Sequence, residues 1–188
     1  VSFDASSFSV APITYQQAKG LIAENHYIGK LGSTSVSLGL FEASDLVGAI
    51  CFGTIPSNNA KSICGPEYAT AVLELTRLAL FERVPANAES WFIAHALKWL
   101  EANRADVKII LSYADSSVRH VGTIYQATNF LYTGSSGGDV SWLCDDGRKI
   151  HPRTTGWDQS LLPPGRWVPS PKKFRYVIFL GGPRTRKA

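Results

Sequence analysis

The sequence predicts an α/β (α+β) fold: one domain with a central mixed, mostly antiparallel sheet that is flanked by helices. Residues 107–134 have the pattern of a strand, a polar turn, a helix and a second strand. Residues 35–43 and 46–55 have the pattern of a β-hairpin, and a strand over 72–81 precedes a helix over 87–104. Helices and strands that are mixed along a chain typically pack as helices on a sheet. At 188 residues the chain is long enough for one such domain with a buried core.

The rest of the chain is organised around residues 107–134. They open with a short apolar run rich in β-branched side chains, which is typical of a buried strand. Asp115 ends this strand at the carboxyl edge of the predicted sheet, where α/β proteins present ligand-binding groups. The polar residues that follow predict a helix over 116–129, which leads into a strand closed by Gly134. Asp115 is therefore either a cap for that helix or a functional carboxylate, and spacing alone leaves both interpretations open.

The segment before the hairpin predicts the first helix. Residues 14–25 have an amphipathic pattern, with Thr14 as the cap of the helix. His26 and Tyr27 follow at its end, ahead of a glycine-rich loop. Residues 56–66, after the hairpin, predict a further loop.

The later strands are predicted from alternation and composition. Alternation along 72–81 indicates a central strand whose polar positions, including Glu74, face a cleft. Asn87 is the predicted cap of the helix that follows. Residues 148–171, rich in Pro, Gly and Trp, are predicted to be irregular but packed, and residues 174–180 to form a last strand.

The composition argues against several classes of protein. Hydrophobic residues make up 45% of the chain and charged residues 18%, as in ordinary globular proteins. The three cysteines are widely spaced and form no CxxC pair. This argues against a disulfide framework and a cysteine-based zinc site, and for reduced thiols. No apolar run has the length of a membrane span, and neither a GxGxxG motif after a strand nor a P-loop motif is present. We expect a cytoplasmic protein with no membrane partner.

The net charge of +4 hides an asymmetric distribution, because residues 148–188 carry +9 and the remainder −5. A basic segment on an acidic body predicts a polyanionic partner, with nucleic acid first. A solubilising tail is the alternative, although such a tail has no need of the aromatic residues found here. We predict a core over 1–147 and a basic extension over 148–188 that completes the sheet of the same domain. The bases of this extension that we predict to contact DNA are Arg148, Lys149, Arg153, Lys172, Lys173 and Arg175.

The order of elements over 72–134 resembles the GCN5-related N-acetyltransferase fold. In that fold the loop after the central strand carries an R/Q-x-x-G-x-G/A pattern whose backbone N–H groups hold the coenzyme A pyrophosphate. The corresponding residues here contain no glycine, and Pro85 lacks a backbone N–H. The N-terminus of the following helix still offers donors. The resemblance therefore implies an anion site at Arg83, Asn87 and Ser90, and leaves open whether coenzyme A itself binds.

Three motifs make the resemblance more specific. His26 and Tyr27 with the glycines that follow, LELTRL at 73–78 and above all SYADSSVRHVGTIYQATNFLYTG at 112–134 resemble the Mom family of phage DNA-modification proteins. The similarity runs over residues 14–134, and the block with YAD, H-x-G-x-x-YQA and NF-x-Y-x-G is its most specific part. The resemblance implies conversion of adenine in duplex DNA to N6-carbamoylmethyladenine, which protects phage DNA from restriction enzymes. It also implies an acyltransferase-like fold and iron as a cofactor.

The resemblance implies roles for individual residues as well. An adenine N6 amine is a weak nucleophile, so a base must take its proton, and the adenine must first be flipped out of the duplex. Glu74 occupies the central-strand position where the acetyltransferase fold often has a base. Tyr125 occupies the position of a tyrosine that protonates the leaving group. Asp115 is a candidate base or metal ligand, and with His26 and Tyr27 it would form an N/O site of the kind that suits iron.

Each of these residues also has a structural alternative. A lone histidine such as His26 is more often structural than a ligand, and Tyr27 can simply pack. Glu74 can pair with Arg77 if a bulge brings the two to one face of the strand. The remaining predicted contacts to phosphate, of DNA or of an anionic donor, are Lys30, Arg119 and His120.

The partners we expect are double-stranded DNA and a small-molecule donor, acyl-CoA-like or of another class, with the protein a monomer or homodimer. Two other functions stay open. One is an ordinary acyl-CoA-dependent transferase acting on a small amine or a protein, which the missing glycine pattern and the basic extension make less favoured. The other is a non-catalytic DNA-binding protein on the same scaffold, which the polar groups at the strand edges make less favoured.

Overall fold

A computed structural model describes residues 3–118, 120–136, 140–150, 155 and 158–181. Within these residues the chain forms four α-helices and ten strands. The helices are α1 (Tyr15–Asn25), α2 (Ser57–Cys64), α3 (Ala88–Asn103) and α4 (Thr123–Ala127). The strands are β1 (Phe8–Pro12), β2 (Val36–Glu42), β3 (Asp45–Gly53), β4 (Val72–Leu80), β5 (Ile109–Asp115), β6 (Leu131–Ser136), β7 (Val140–Cys144), β8 (Lys149–Ile150), β9 (Gly165–Pro169) and β10 (Lys173–Phe179).

Seven strands form one sheet in the order β1-β2-β3-β4-β5-β10-β6. Only the pair of β4 and β5 is parallel, and the other neighbours are antiparallel. The predicted mixed, mostly antiparallel sheet is therefore confirmed, with β4 at its centre as expected. The last strand, β10, lies between β5 and the edge strand β6, so the basic extension contributes a strand to the main sheet.

Helices cover both faces of this sheet. On one face, α1 packs Leu21 and Ile22 against Ala49 and Ala79. On the other, α3 buries a stripe that includes Phe92 against β4 and β5. Because neighbouring residues of a strand point to opposite faces, the sheet is the middle layer of three. None of the helices among the described residues is long and apolar enough to cross a membrane.

The two long helices begin differently. At α1, the Gln17 N–H donates to the Thr14 side chain over 3.2 Å, and the Thr14 N–H donates to the Gln17 side chain over 2.9 Å. This capping box confirms the prediction for Thr14. At α3, Asn87 is the N-cap residue, as predicted, but its side chain makes no capping hydrogen bond. Asn87 has a φ of 74°, a left-handed conformation that asparagine tolerates better than most residues.

β4 and β5 separate halfway along their length. Their ladder ends where Leu75 pairs with Ser112, although β4 continues to Leu80 and β5 to Asp115. Beyond this point β4 is held by β3 and β5 is held by β10. Each strand thus follows its other neighbour, and a cleft opens between them.

The helix predicted over 116–129 is the main error of the sequence analysis. Residues Ser116–Val118 form a single 3₁₀ turn, and the α-helix that follows covers only Thr123–Ala127. Gly122 separates the two with a φ of 77°, which cannot continue a right-handed helix. The helical periodicity of the segment is local, whereas this break is imposed by a residue that is distant in sequence, Tyr176 of β10.

Three other regions also differ from the prediction. The segment 56–66, expected to be a loop, contains α2, whose single short amphipathic pattern is weak in sequence. β1 had no predicted counterpart. Residues 148–171, expected to be irregular, contain β8 and β9, which pair with β7 in a second sheet of order β8-β7-β9. β8 and β9 are short, so their formation depends more on pairing with β7 than on the alternation of polar and apolar residues in their own sequences.

Candidate active site

A cleft of about 380 Å³ lies where β4 and β5 part. All five residues predicted to be catalytic line it, so the structure brings together side chains that are distant in sequence. These residues are His26, Tyr27, Glu74, Asp115 and Tyr125. A smaller cavity of about 260 Å³ shares Tyr113, His120 and Tyr125 with the cleft and extends it along the segment before α4.

Glu74 lies on β4 at the inner end of the cleft. Burial raises the pKa of its carboxyl above the usual value of 4.5, while the nearby cations Lys173 and Arg77 act in the opposite direction. A carboxylate whose pKa is raised by burial is a stronger base than an exposed one, because its proton-bound form is favoured. The environment of Glu74 therefore suits proton transfer.

A β-bulge brings Arg77 to the same cleft. Across the β3–β4 pair, Phe52 faces Leu75 and Cys51 faces Arg77, so Thr76 is the extra residue. The predicted condition for Glu74 and Arg77 to share a face is thus met, but the two form no ion pair. The Arg77 Nε donates instead to the carbonyl of Lys30 over 2.7 Å. Arg77 therefore ties the glycine-rich loop after α1 to the wall of the cleft.

His26 and Tyr27 form a stacked pair at the end of α1. Their ring centroids are 4.5 Å apart with the planes inclined by 24°, and the Tyr27 ring meets His120 edge-on at 5.9 Å. Tyr27 is 56% exposed, so much of its surface is open to a ligand. Burial, with smaller contributions from Arg77 and His120, lowers the pKa of His26 to about 4, and the imidazole is neutral at neutral pH. The pair presents a flat, uncharged aromatic surface beside the cleft.

The backbone fixes the His26 ring. The N–H of Ile28 donates to His26 Nδ1 over 3.1 Å, and the N–H of Gly29 donates to the His26 carbonyl over 2.7 Å. Nδ1 is therefore an acceptor in a tight turn, which leaves Nε2 as the ring nitrogen available for other contacts. This geometry explains why a glycine follows the His-Tyr pair: Gly29 has a φ of 62°.

Asp115 caps a turn and also lines the cleft. Its Oδ1 accepts hydrogen bonds from the N–H of Ser117 over 2.9 Å and from the Ser117 hydroxyl over 2.6 Å, so it caps the 3₁₀ turn. The same side chain lines the cleft. Its charge adds to the effect of burial in raising the pKa of Tyr27. Oδ2 accepts no hydrogen bond from any described residue, which leaves one carboxylate oxygen for a ligand.

The H-x-G-x-x-YQA motif is explained largely by contacts with Tyr176 of β10. The Tyr176 hydroxyl donates to the Val121 carbonyl over 2.6 Å, and the Gln126 amide donates to that hydroxyl over 3.2 Å. A Cβ on Gly122 would lie 2.3 Å from the Tyr176 ring, so only glycine fits. These contacts hold the segment before α4 against the sheet and so position Tyr125.

Tyr125 and Tyr113 are two further phenols that line the cleft beside Tyr27. Tyr125 is 8% exposed, and burial raises its pKa, so it stays protonated at neutral pH. Sequence analysis did not select Tyr113, which lies two residues before Asp115 on the same face of β5. Burial raises the pKa of Tyr113, and the charge of Glu74 adds to this effect. The period-2 rule applied to Asp115 was the signal that could have identified Tyr113.

The residues predicted to hold a cofactor are separated in the structure. Arg83 forms an ion pair with Glu42 at the end of the β2–β3 hairpin. Asn87 and Ser90 line a groove of about 550 Å³ along α3, which Thr128 and Asn129 border from the side of α4. Arg119 lies outside the described residues. Only Asn87 and Ser90 therefore share one cavity, and Arg83 is already paired.

The predicted DNA contacts also fall into separate groups. Lys149 and Lys172 are exposed and, like Lys30 and His120, form no ion pair with any described residue. Arg148 is paired with Asp146 over 2.7 Å. The remaining three bases occupy different positions. Lys173 lines the cleft, the Arg175 Nε donates to the Thr133 hydroxyl over 2.9 Å, and Arg153 lies outside the described residues.

The described residues give no support to an iron site. Among them, no group of three or more His, Cys, Asp or Glu side chains lies close enough to hold a metal ion. His26 and Asp115 line the same cleft, but Nδ1 of the first and Oδ1 of the second are already hydrogen-bonded within the protein. No metal site is found among the described residues, and iron at His26, Tyr27 and Asp115 stays a prediction from family resemblance.

Solved structures with the same fold are acetyltransferases. Arabidopsis thaliana NAA60, in complex with acetyl-CoA, matches with a TM-score of 0.58 and 10% identity over 93% of this chain and 99% of that chain. A Bacillus subtilis acetyltransferase in complex with CoA matches with a TM-score of 0.52 and 11% identity over 93% of this chain and 98% of that chain. Identity this low supports the fold alone, and it confirms the predicted acetyltransferase-like fold.

A closer relative is the methylcarbamoylase mom of Escherichia phage Mu. It is 30% identical over 137 residues, which are 72% of this chain and 57% of the phage Mu protein. The match thus spans less than two thirds of that relative. The model of the Mom protein family matches residues 7–187, which are nearly the whole sequence. This match extends into the basic extension, beyond the motifs that carried the resemblance, and the chain therefore belongs to the Mom protein family.

Proposed function

We propose that the protein is a transferase that modifies the N6 amine of adenine in duplex DNA, giving N6-carbamoylmethyladenine. The observation that carries this proposal is the composition of the cleft. A carboxyl group whose pKa is raised by burial, Glu74, lines the same cleft as a stacked aromatic pair in which His26 is half-buried and Tyr27 is exposed. The name of the phage Mu relative, a methylcarbamoylase, supports the identity of the transferred group.

The acceptor base is held at the mouth of the cleft in this proposal. A flipped nucleobase needs an aromatic or apolar surface to replace the stacking it loses in the duplex. Tyr27 is exposed and already stacked on His26, so an adenine on its open side extends that stack. Ile28 and Val121, which are 41% and 57% exposed, border the same cavities. The exposure of three large apolar side chains here is explained if a nucleobase covers them.

The chemical step then follows from the side chains deeper in the cleft. As a bond forms between N6 and the carbon of the donor, the bond from that carbon to its leaving group breaks. N6 loses a proton, which Glu74 accepts, and the leaving group takes a proton from Tyr125. Arg77 and Lys173 lie near Glu74 and favour its ionised form, which is the form that can accept the N6 proton.

The donor is proposed to be an activated small molecule with a CoA-like anionic part, and the carbon that it transfers to N6 is the methylene carbon of the carbamoylmethyl group, because transfer of an acyl carbon would give an amide. Two of the solved structures with this fold were determined with CoA or acetyl-CoA. The groove along α3 reaches Asn87 and Ser90 at the N-terminus of that helix, where free backbone N–H groups favour an anion. Glu89 in the first turn of α3 has the opposite effect on an anion. These features support a donor that enters between α3 and α4.

An acyl-CoA-dependent transferase for a small amine or protein is the second candidate, because the fold supports it equally well. Mass spectrometry of nucleosides from the DNA of a bacterial host that produces the protein separates the two. Our proposal expects an adenosine that carries a carbamoylmethyl group and that is missing from host cells with the empty vector. Unmodified DNA together with acylated amines or proteins would favour the second candidate. Unmodified DNA with tight, catalytically silent DNA binding would favour a non-catalytic protein.

A further inference from the structure

Glu89 is a carboxylate at the candidate active site that has no role in the reaction described above. It lies in the first turn of α3 and lines both the cleft and the smaller cavity of about 260 Å³, which we call the inner cavity. Its side chain is exposed and forms no hydrogen bond or ion pair with any described residue. An acid here opposes the binding of an anion, so its presence needs another explanation.

The first turn of α3 separates the donor groove from the cleft. Asn87 and Ser90 line the groove along α3, whereas Glu89 lines the cleft and the inner cavity. This division follows from helix geometry, because consecutive residues of an α-helix point about 100° apart. A donor whose anionic part lies in the groove therefore brings its reactive end past Glu89. The carboxylate faces the group that is transferred and not the part that remains on the donor.

The inner cavity suits a small, neutral polar group. Its described lining contains one carboxylate, Glu89, one imidazole, His120, and no lysine or arginine. Tyr113 contributes a half-buried phenol whose hydroxyl forms no hydrogen bond with any described residue. Burial raises the pKa of Tyr113, so this hydroxyl stays protonated and can donate. The cavity thus offers an acceptor of hydrogen bonds on α3 and a donor on β5.

The group transferred in the proposed reaction carries a primary amide. Its methylene carbon bonds to N6 and is itself bonded to the carbamoyl carbon, so the amide lies directly beside the reacting atom. A primary amide has two N–H donors and one carbonyl acceptor. A carboxylate accepts such an N–H in a charge-assisted hydrogen bond, which is roughly twice as strong as a neutral one. A carboxymethyl group of similar size has no N–H and is negatively charged, so a carboxylate repels it.

We propose that the inner cavity is the subsite of the carbamoyl group, where Glu89 accepts a hydrogen bond from the amide N–H and Tyr113 donates one to the carbonyl oxygen. This inference rests on the proposed function and assigns it a specificity-determining residue. Glu89 selects the amide over the acid, because it pairs with the first and repels the second. Tyr113 favours both groups, since each has an oxygen that accepts its hydrogen bond.

The test measures the binding of products and needs no donor. Short duplexes of one sequence carry N6-carbamoylmethyladenine or N6-carboxymethyladenine opposite an abasic site, which lowers the cost of flipping the modified base. The ratio of the two dissociation constants cancels general effects on DNA binding. Wild-type protein should bind the carbamoylmethyl duplex at least about tenfold more tightly than the carboxymethyl duplex. Glu89→Gln should reduce this ratio at least about fivefold, because the acid is no longer repelled.

Two further variants separate the contacts. Tyr113→Phe should weaken binding of both modified duplexes while the ratio stays near that of wild type. Glu24→Gln, which removes an exposed acid of α1 that lines neither cavity, is the matched control and should keep the wild-type ratio. Melting temperatures establish that each variant is folded. The absence of a preference in wild type, or an unchanged preference in Glu89→Gln, would overturn the subsite.

Nucleosides from the DNA of cells that produce the wild-type protein are analysed in parallel, so that the two proposals can fail separately. Carbamoylmethyladenosine in these cells, together with equal binding of the two duplexes, would refute the subsite alone. A preference for the carbamoylmethyl duplex that Glu89→Gln loses, without modified adenosine in the cells, would support the subsite as a recognition site and refute the proposed reaction.

Discussion

At the scale of single residues, the cleft changes the properties of ordinary side chains. Glu74 is a polar residue on a central strand, and burial turns it into a group with a raised pKa. His26 becomes a neutral ring with a pKa of about 4 for the same reason. The sequence analysis selected both residues from their positions, but the direction of these changes is set by burial, which only the folded chain creates. The charges of Arg77, Lys173 and His120 modify the changes further.

Glu74 should make stability depend on pH in a defined direction. Since its folded-state pKa is raised above 4.5, its stabilising contribution is present below that pH and is lost as the pH rises through the raised pKa. Glu74→Gln resembles the protonated group, so the variant should gain in melting temperature relative to wild type as the pH rises to neutral. Thermal unfolding of both proteins across this range checks the prediction. A constant difference between them at every pH would mean that the Glu74 pKa is not raised.

Asp115→Asn separates capping from function. Asparagine caps about as well as aspartate, so the hydrogen bonds from Ser117 should survive and the melting temperature should barely move. If the carboxylate serves in the reaction, modification of host DNA should fall by a factor of about a hundred, the usual scale for a positioned base. Unchanged modification by a stable Asp115→Asn protein would leave Asp115 as a cap only.

At the scale of elements, the sequence predicted those whose pattern is local. The helix α1, the hairpin of β2 and β3, the central strand β4 and the helix α3 each carry their own periodicity, and all are present. The predicted helix over 116–129 failed because Gly122 packs against Tyr176, a contact between distant parts of the chain. The sequence analysis named a bulge in β4 only as the condition for Glu74 and Arg77 to share a face. It could not predict the bulge at Thr76, because a bulge is a property of the β3–β4 register and not of β4 alone.

Gly122→Ala should be more destabilising than alanine at another left-handed glycine. Gly122 has a φ of 77° and its new Cβ would meet Tyr176, whereas Gly147 has a φ of 85° and open space around it. Gly147→Ala should cost about 1–2 kcal/mol from backbone conformation alone. Gly122→Ala should cost a further ~1–3 kcal/mol from the steric conflict. Chemical denaturation of the two variants measures this difference, and equal losses would remove Tyr176 from the explanation of the motif.

At the scale of the whole molecule, the basic residues that are close together in the sequence lie at different places on the folded protein. The sequence assigned the bases of residues 148–188 to one DNA contact. In the fold, Lys173 lines the cleft and Arg175 forms a hydrogen bond with Thr133. Three other bases are exposed and form no ion pair with any described residue: Lys149, Arg166 and Lys172. Net charge predicts the partner, but only tertiary structure tells which bases are available to it.

The salt dependence of DNA binding should follow this division. Replacing Lys149, Arg166 and Lys172 together with alanine should flatten the log–log slope of affinity against salt by up to about three units, near 0.9 for each phosphate that is no longer neutralised. Replacing Lys19, Lys61 and Lys98, which lie on α1, α2 and α3, should leave the slope nearly unchanged. Binding titrations of a duplex at several salt concentrations give both slopes. Equal slopes for the two triple variants would place the duplex on another surface.

The proposed reaction is tested most directly by the content of modified adenosine in plasmid DNA, measured early after induction in cells that produce one of three proteins. The wild type and Glu24→Gln, a change at an exposed residue of α1, should both give N6-carbamoylmethyladenosine. Glu74→Gln should give about a hundredfold less at the same protein level, because it cannot accept the N6 proton. Modification by Glu74→Gln at the wild-type level, or no modified adenosine with any of the three proteins, would contradict the proposed reaction.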